Sequence, residues 1–239
     1  MKPSRAPRAT APVSVAALTL VLAVYPAPSA AARTAPGAGA AALAAAAPDP
    51  VVFVHGWNSD GSIWATMAGR FRTDGWPAGR LFQWSYPTGQ SNATTAAGLA
   101  TEIDRVLAAT GAAKVDLVTH SMGSLSSRHY LKSLAGAAKV DAWVSLAGPN
   151  HGTNTAYLCG GASCADMRPR SPFLTALNTG DETPGATRYA TWRSPCDLVV
   201  SPQSTVVLTG AVDHVTPCLQ HTAFPTDKAV YEQVRAHIG

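Results

Sequence analysis

The chain has 239 residues, 46% of them hydrophobic and 13% charged. That length suits a single domain with its own apolar core, and the low charge excludes a disordered polyelectrolyte or a charged-face coiled coil. The net charge of +4 is concentrated at the start: Lys2, Arg5 and Arg8 lie within residues 1–32, and without them 15 basic residues face 14 acidic ones. No Lys/Arg run remains to track a phosphate backbone, which argues against a nucleic-acid partner.

In chain order, the basic start is followed by an apolar stretch over 13–25 and by small residues ending at Ala32. This pattern predicts a secretory signal over 1–32, cleaved after Ala32, and hence a secreted, extracellular protein. The apolar run falls short of the roughly 18–20 residues a membrane span needs, so no transmembrane anchor is expected. Residues 33–48 are almost only Ala, Gly and Pro and predict a flexible leader outside the fold. The folded domain is expected over 49–239.

Within it, β-branched and aromatic runs predict strands at 51–54, 81–84, 115–119, 140–147, 187–193 and around 214–219. Apolar residues at helical spacing predict helices over 62–72, 94–109, 122–134 and 226–238, with Asn92 as cap and Gly111 as stop of the second. Residues 148–186 form a long Gly/Pro/Asn-rich excursion, in which Asp166, Asp181 and Glu182 are expected to be solvated. Strands alternating with helices predict an α/β fold, with about six mainly parallel strands and helices on both faces.

The four cysteines, an even number in an exported chain, predict two disulfides. Of the three possible connectivities, spacing favours the one that pairs Cys159–Cys164 as a tight loop and Cys196–Cys218 as a longer staple. No Cys-x-x-Cys or neighbouring His pair supports a metal site.

The chemistry centres on Thr119-His120-Ser121-Met122-Gly123. A strand runs into Ser121 and a helix leaves it, the context of a nucleophile elbow, in which a sharp turn lifts a serine hydroxyl above the sheet edge. A serine at a helix start is also a common cap, and Thr119 stands where glycine is usual. An early strand ending in His55-Gly56-Trp57 adds weight, because its following loop can supply an oxyanion N–H from Trp57 beside that of Met122. A base and an acid must follow the serine in the chain. His221 is preferred to His214 because it follows the last strand. Asp197 is preferred to Asp213 because it follows the strand before. His129, His151 and His237 are poorly placed. A Cys196–Cys218 bond would bring the Asp197 and His221 loops together.

These stretches, with Ser145-Leu146-Ala147-Gly148-Pro149-Asn150-His151-Gly152-Thr153 and the closing Leu219-Gln220-His221-Thr222, resemble the small secreted bacterial lipases of the α/β-hydrolase fold, the class 2 lipase family of actinobacterial extracellular lipases. The resemblance spans roughly 50–239. It implies Ser121, Asp197 and His221 as a catalytic triad, Trp57 and Met122 as oxyanion donors, little or no lid, and no metal or organic cofactor. The implied partner is a lipid or ester substrate at a lipid–water interface, acted on by a monomer. Trp57, Trp64, Tyr86, Met122, Leu158, Phe173 and Phe224 are candidates to line the cleft. Three readings stay open: a triacylglycerol lipase, a short-chain carboxylesterase or polyester hydrolase, and a non-catalytic lipid-binding module on the same fold.

Overall fold

Strands buried on both faces must be apolar along their whole length, and Val51–Val54 (β1) meets this demand, with all four side chains fully buried. Five more strands join it: Leu81–Trp84 (β2), Val115–His120 (β3), Val140–Leu146 (β4), Arg188–Arg193 (β5) and Val212–Val215 (β6). All pairings are parallel, in the order β2-β1-β3-β4-β5-β6. These features come from a computed structural model that describes residues 47–239 and the isolated positions 12 and 14. Apart from those two positions the expected signal segment lies outside the described residues, as does nearly all of the leader.

Alternation along the strands sorts side chains into two cores. On one face Phe53, Val118, Val144 and Trp192 pack against Phe71 of Ala65–Thr73 (α1) and Val230 and Val234 of Lys228–Ile238 (α6). On the other, Val52, Leu117 and Trp143 meet Leu99 and Ile103 of Asn92–Thr110 (α2) and Leu125 of Gly123–Ser133 (α3). Two short helices, Ala162–Met167 (α4) and Pro172–Asn178 (α5), extend this second core through Met167 and Leu177.

The chain leaves β1 to form β2 on one side, then crosses back to place β3 on the other. The carboxyl ends of β1 and β3 therefore flank a topological switch point, where open α/β sheets leave a crevice.

Three local expectations are corrected. The helix expected over 62–72 begins as a tighter 3-10 turn, Gly61–Trp64, whose Asp60 carboxylate accepts the Ser62 N–H. The cap of α2 is Ser91, which accepts the Thr94 N–H, because Asn92 is used elsewhere: its own N–H donates to Asp166 Oδ2 at 2.7 Å and its side-chain oxygen accepts from Ser126. The excursion is correspondingly tied down. Asp166 and Glu182 are not simply solvated, since Glu182 accepts from His151 Nε2 at 2.7 Å and from the Thr209 N–H at 2.8 Å.

Candidate active site

β3 feeds Ser121 into the sharp turn that starts α3, and Ser121 sits in the left-handed region at φ 53°. For a non-glycine residue this costs about 1–3 kcal/mol and persists only where neighbours enforce it. The enforcement is visible: the Ser121 N–H donates to the Leu146 carbonyl at 2.9 Å. A side chain at Gly123 would place Cβ 2.5 Å from the His55 carbonyl oxygen, and one at Gly56 would place it 2.8 Å from Ser121 Cβ. The loop after β1 and the turn after β3 thus meet backbone to backbone.

Thr119 occupies the position where glycine is usual because its hydroxyl has partners there. It donates to the Val144 carbonyl at 2.7 Å and accepts from Ser124 at 2.8 Å. Ser145 donates to Ser124 at 2.9 Å. Asn150 donates to Ser145 and to the Val206 carbonyl. Each donor in this buried chain has an acceptor, which is the condition for polar groups in a core.

At the same sheet edge the loops after β5 and β6 carry Asp197 and His221. His221 Nδ1 donates to Asp197 Oδ2 at 2.8 Å, and both residues are buried. The other Asp197 oxygen accepts the N–H groups of Val199 and Val200 at 2.8 and 3.0 Å. Burial pushes this carboxyl up, but the His221 hydrogen bond and charge and the two backbone donors outweigh it and hold it below its ordinary pKa. Thr153 and Thr155 fix the loop carrying Asp197 by donating to the Val199 carbonyl at 2.7 and 2.6 Å. Cys196 is bonded to Cys218 with Cα atoms 4.9 Å apart, so the two loops are covalently joined beside these side chains. The second bridge is Cys159–Cys164.

Ser121 and His221 both open onto one cavity of about 540 Å³, within the range of small-molecule sites. Among the described residues Ser121 Oγ makes no hydrogen bond, and neither do the backbone N–H groups of Trp57 and Met122. Of the expected cleft residues, Trp57 and Leu158 line the cavity. Trp64, Met122 and Phe224 do not, because their side chains are fully buried in the two cores. Tyr86 stacks under His55 with ring centroids 4.2 Å apart, and Phe173 packs beside His129. The apolar wall instead includes Ile63, Pro149, Met167, Val199, Val200 and Pro225. The rival titratable groups are occupied elsewhere: Asp213 pairs with Arg193 at 2.9 Å, and the His214 ring stacks on Trp192 at 4.3 Å.

A six-stranded parallel sheet with a strained serine at the switch point, and an Asp-bonded histidine in the same cavity, defines a hydrolase of the α/β-hydrolase fold. Solved structures agree on that fold. A Bacillus licheniformis lipase in its mature form aligns with a TM-score of 0.71 at 18% identity, covering 80% of this chain and 92% of that one. An Aspergillus fumigatus lipase B aligns at 0.67 and 16% identity over 77% of this chain and 51% of the other, so the chain spans about half of that protein. A Rhodococcus esterase aligns at 0.55 and 19% identity, covering 80% and 90%. Residues 48–234 match the class 2 lipases. The chain belongs to that family and is a carboxylic ester hydrolase.

Proposed function

We propose that this chain is a secreted triacylglycerol lipase that works through an acyl-enzyme on Ser121. The observation that carries this reading is the Asp197–His221 pair opening onto the same apolar cavity as the strained Ser121. Because Nδ1 of His221 donates to Asp197, the neutral ring keeps its lone pair on Nε2, the atom a base needs. In the proposed reaction Nε2 takes the Ser121 proton as Oγ bonds to the ester carbonyl carbon. The carbonyl oxygen becomes an oxyanion received by the Trp57 and Met122 N–H groups. The imidazolium, stabilised by Asp197, then protonates the departing alkoxide as its bond to carbon breaks. Water repeats the attack, its proton passing to Nε2, and the acid leaves as the proton returns to Oγ. Every step is proton transfer and acyl transfer by this chain's own residues.

The apolar wall from Ile63 to Pro225 favours a fatty acyl group, and the two disulfides with the basic-apolar-small N-terminal pattern favour export. Among the described residues no helix is long and apolar enough to cross a membrane. The test is labelling by a serine-reactive phosphonate combined with chain-length profiling on p-nitrophenyl esters and on a long-chain triglyceride emulsion. Labelling at Ser121, its loss in Ser121→Ala and turnover of the emulsion are expected. Activity confined to short soluble esters would move the assignment to a carboxylesterase or polyester hydrolase. No labelling would leave a lipid-binding module.

A further inference from the structure

His120 lies beside the proposed nucleophile and has no step in that reaction. Its ring is buried against the His221 ring, with centroids 4.7 Å apart, and its Nε2 lies 2.9 Å from the His221 backbone carbonyl. A carbonyl only accepts, so Nε2 must carry the proton and His120 is the donor. Among the hydrogen bonds of the described residues, this one alone joins the loop carrying His221 to the strand carrying Ser121.

That link matters because of what the other tethers do. The Asp197 contact holds one edge of the His221 ring, and the Cys196–Cys218 bridge ties the base loop to the acid loop. Neither sets the separation between the imidazole and Ser121 Oγ, which belongs to a different strand. The path through His120 does: one peptide bond from Ser121, one rigid ring, one hydrogen bond to the residue that bears the base. We propose that His120 is a positioning residue that holds the His221 backbone at the reach of the Ser121 hydroxyl. The inference rests on the assignment of Ser121 and His221 as nucleophile and base.

The surroundings suit a permanently neutral donor. The titratable groups facing His120 are His221 and Asp197 from the two loops and His55 from the end of β1. Burial, followed by the charge of His221, pushes the His120 pKa down to about 3. A neutral ring adds no positive charge beside the imidazolium that forms at His221 during turnover.

The test compares His120→Met, which fills the space without a donor, with His120→Gln, whose Nε2 amide can reach the same carbonyl. Rates on a soluble p-nitrophenyl ester are normalised to phosphonate-titrated sites, so loss of folded protein does not count. Loss of one hydrogen bond in the transition-state geometry predicts kcat down about tenfold in the Met variant. KM should stay within about twofold, and the Gln variant should recover most of kcat. Normal kcat per titrated site in His120→Met, a rise confined to KM, or a Gln variant no better than Met would overturn the proposal. The wild-type enzyme gives a check that needs no variant. Imidazole nitrogen NMR should find His120 as the Nε2–H tautomer, without titration from about pH 5 to about pH 9; an unprotonated Nε2 overturns the proposal. Failure of the underlying assignment looks different, because wild-type Ser121 would then not react with the phosphonate at all.

Discussion

Gly56→Ala tests the oxyanion assignment through a single methyl group. The added Cβ would stand 2.8 Å from Ser121 Cβ and 3.3 Å from both Ser121 Oγ and the His120 carbonyl oxygen. Carbon atoms in contact prefer about 3.6 Å, so relief requires a shift of about 0.8 Å. Ser121 is the poorer candidate to move, since its N–H is bonded to Leu146 and its strand is flanked by β1 and β4. The shift then falls on the Gly56–Trp57 peptide. An oxyanion donor acts at about 2.7–3.1 Å, and about 0.8 Å more takes the Trp57 N–H out of range. Loss of one such donor raises the barrier by about 3 kcal/mol, or 10²–10³ in kcat, with little change in KM. The crowding itself costs about 1–3 kcal/mol of stability. The assay is kcat and KM on a soluble ester beside thermal unfolding. Gly98→Ala on the exposed face of α2 is the control, expected to gain about 0.5–1 kcal/mol without loss of kcat. A destabilised Gly56→Ala enzyme with kcat within about threefold of wild type would refute the role given to Trp57. A variant unchanged in both respects would refute the close approach of the two loops.

Asp197→Asn should lower kcat by about 10⁴, because the amide favours the wrong His221 tautomer while leaving the shape of the site intact; steady-state rates at constant Tm check this. Removing the Cys196–Cys218 bridge, which spans 22 residues, should cost about 3 kcal/mol of loop entropy. In urea, activity should disappear before far-UV ellipticity, and coincident transitions would show that the bridge does not serve the site in particular. Asp116, buried on β3 near Asp49 and Asp141, has its pKa pushed up to about 8, first by burial and then by those two charges. The native state therefore holds a proton that the unfolded state, titrating near 3.8, has lost, and stability falls as pH rises across that window. Asp116→Asn keeps the oxygen that accepts the Ala142 N–H at 3.1 Å, so its Tm advantage over wild type should grow from about pH 4 to about pH 8. A constant difference would contradict the shift.

What could be read from the sequence was whatever has a local cause. Leu81–Trp84 appears as a strand with the expected bounds, and Gly111 ends α2 in the left-handed conformation at φ 66°. Cys196 beside Asp197 and Cys218 just before His221 made the meeting of those two loops legible, because a disulfide is a distance constraint written into the chain. What escaped was whatever depends on a partner distant in sequence. Ser91 and Asn92 are equally good caps by residue type, and Asp166, 74 residues away, decides between them. Met122 looked like a cleft residue because it adjoins Ser121, yet its side chain points into the core while its N–H stays at the turn. Thr153 and Thr155 gave no sign of holding the acid loop, since their acceptor, the Val199 carbonyl, is a backbone atom that sequence patterns do not reveal.

Thr119 shows the same limit at the centre of the site. By residue type it is a departure from a glycine-flanked serine, and it reads as a weakness of the motif. Glycine at that point relieves crowding by having no side chain. Here the side chain is present and fully buried, so it must be compensated, and the hydroxyl supplies the compensation by donating across to β4 and accepting from α3. The elbow is consequently tied through Ser124, Ser145 and Asn150 to the loop after β4, whose Pro149 lines the cavity beside Ser121. Strand β3 and the cavity wall are thereby coupled by side-chain hydrogen bonds that a glycine could not make. The residue that weakens the pattern in one dimension strengthens the site in three, because the motif describes only the space needed and says nothing of the partners that fill it.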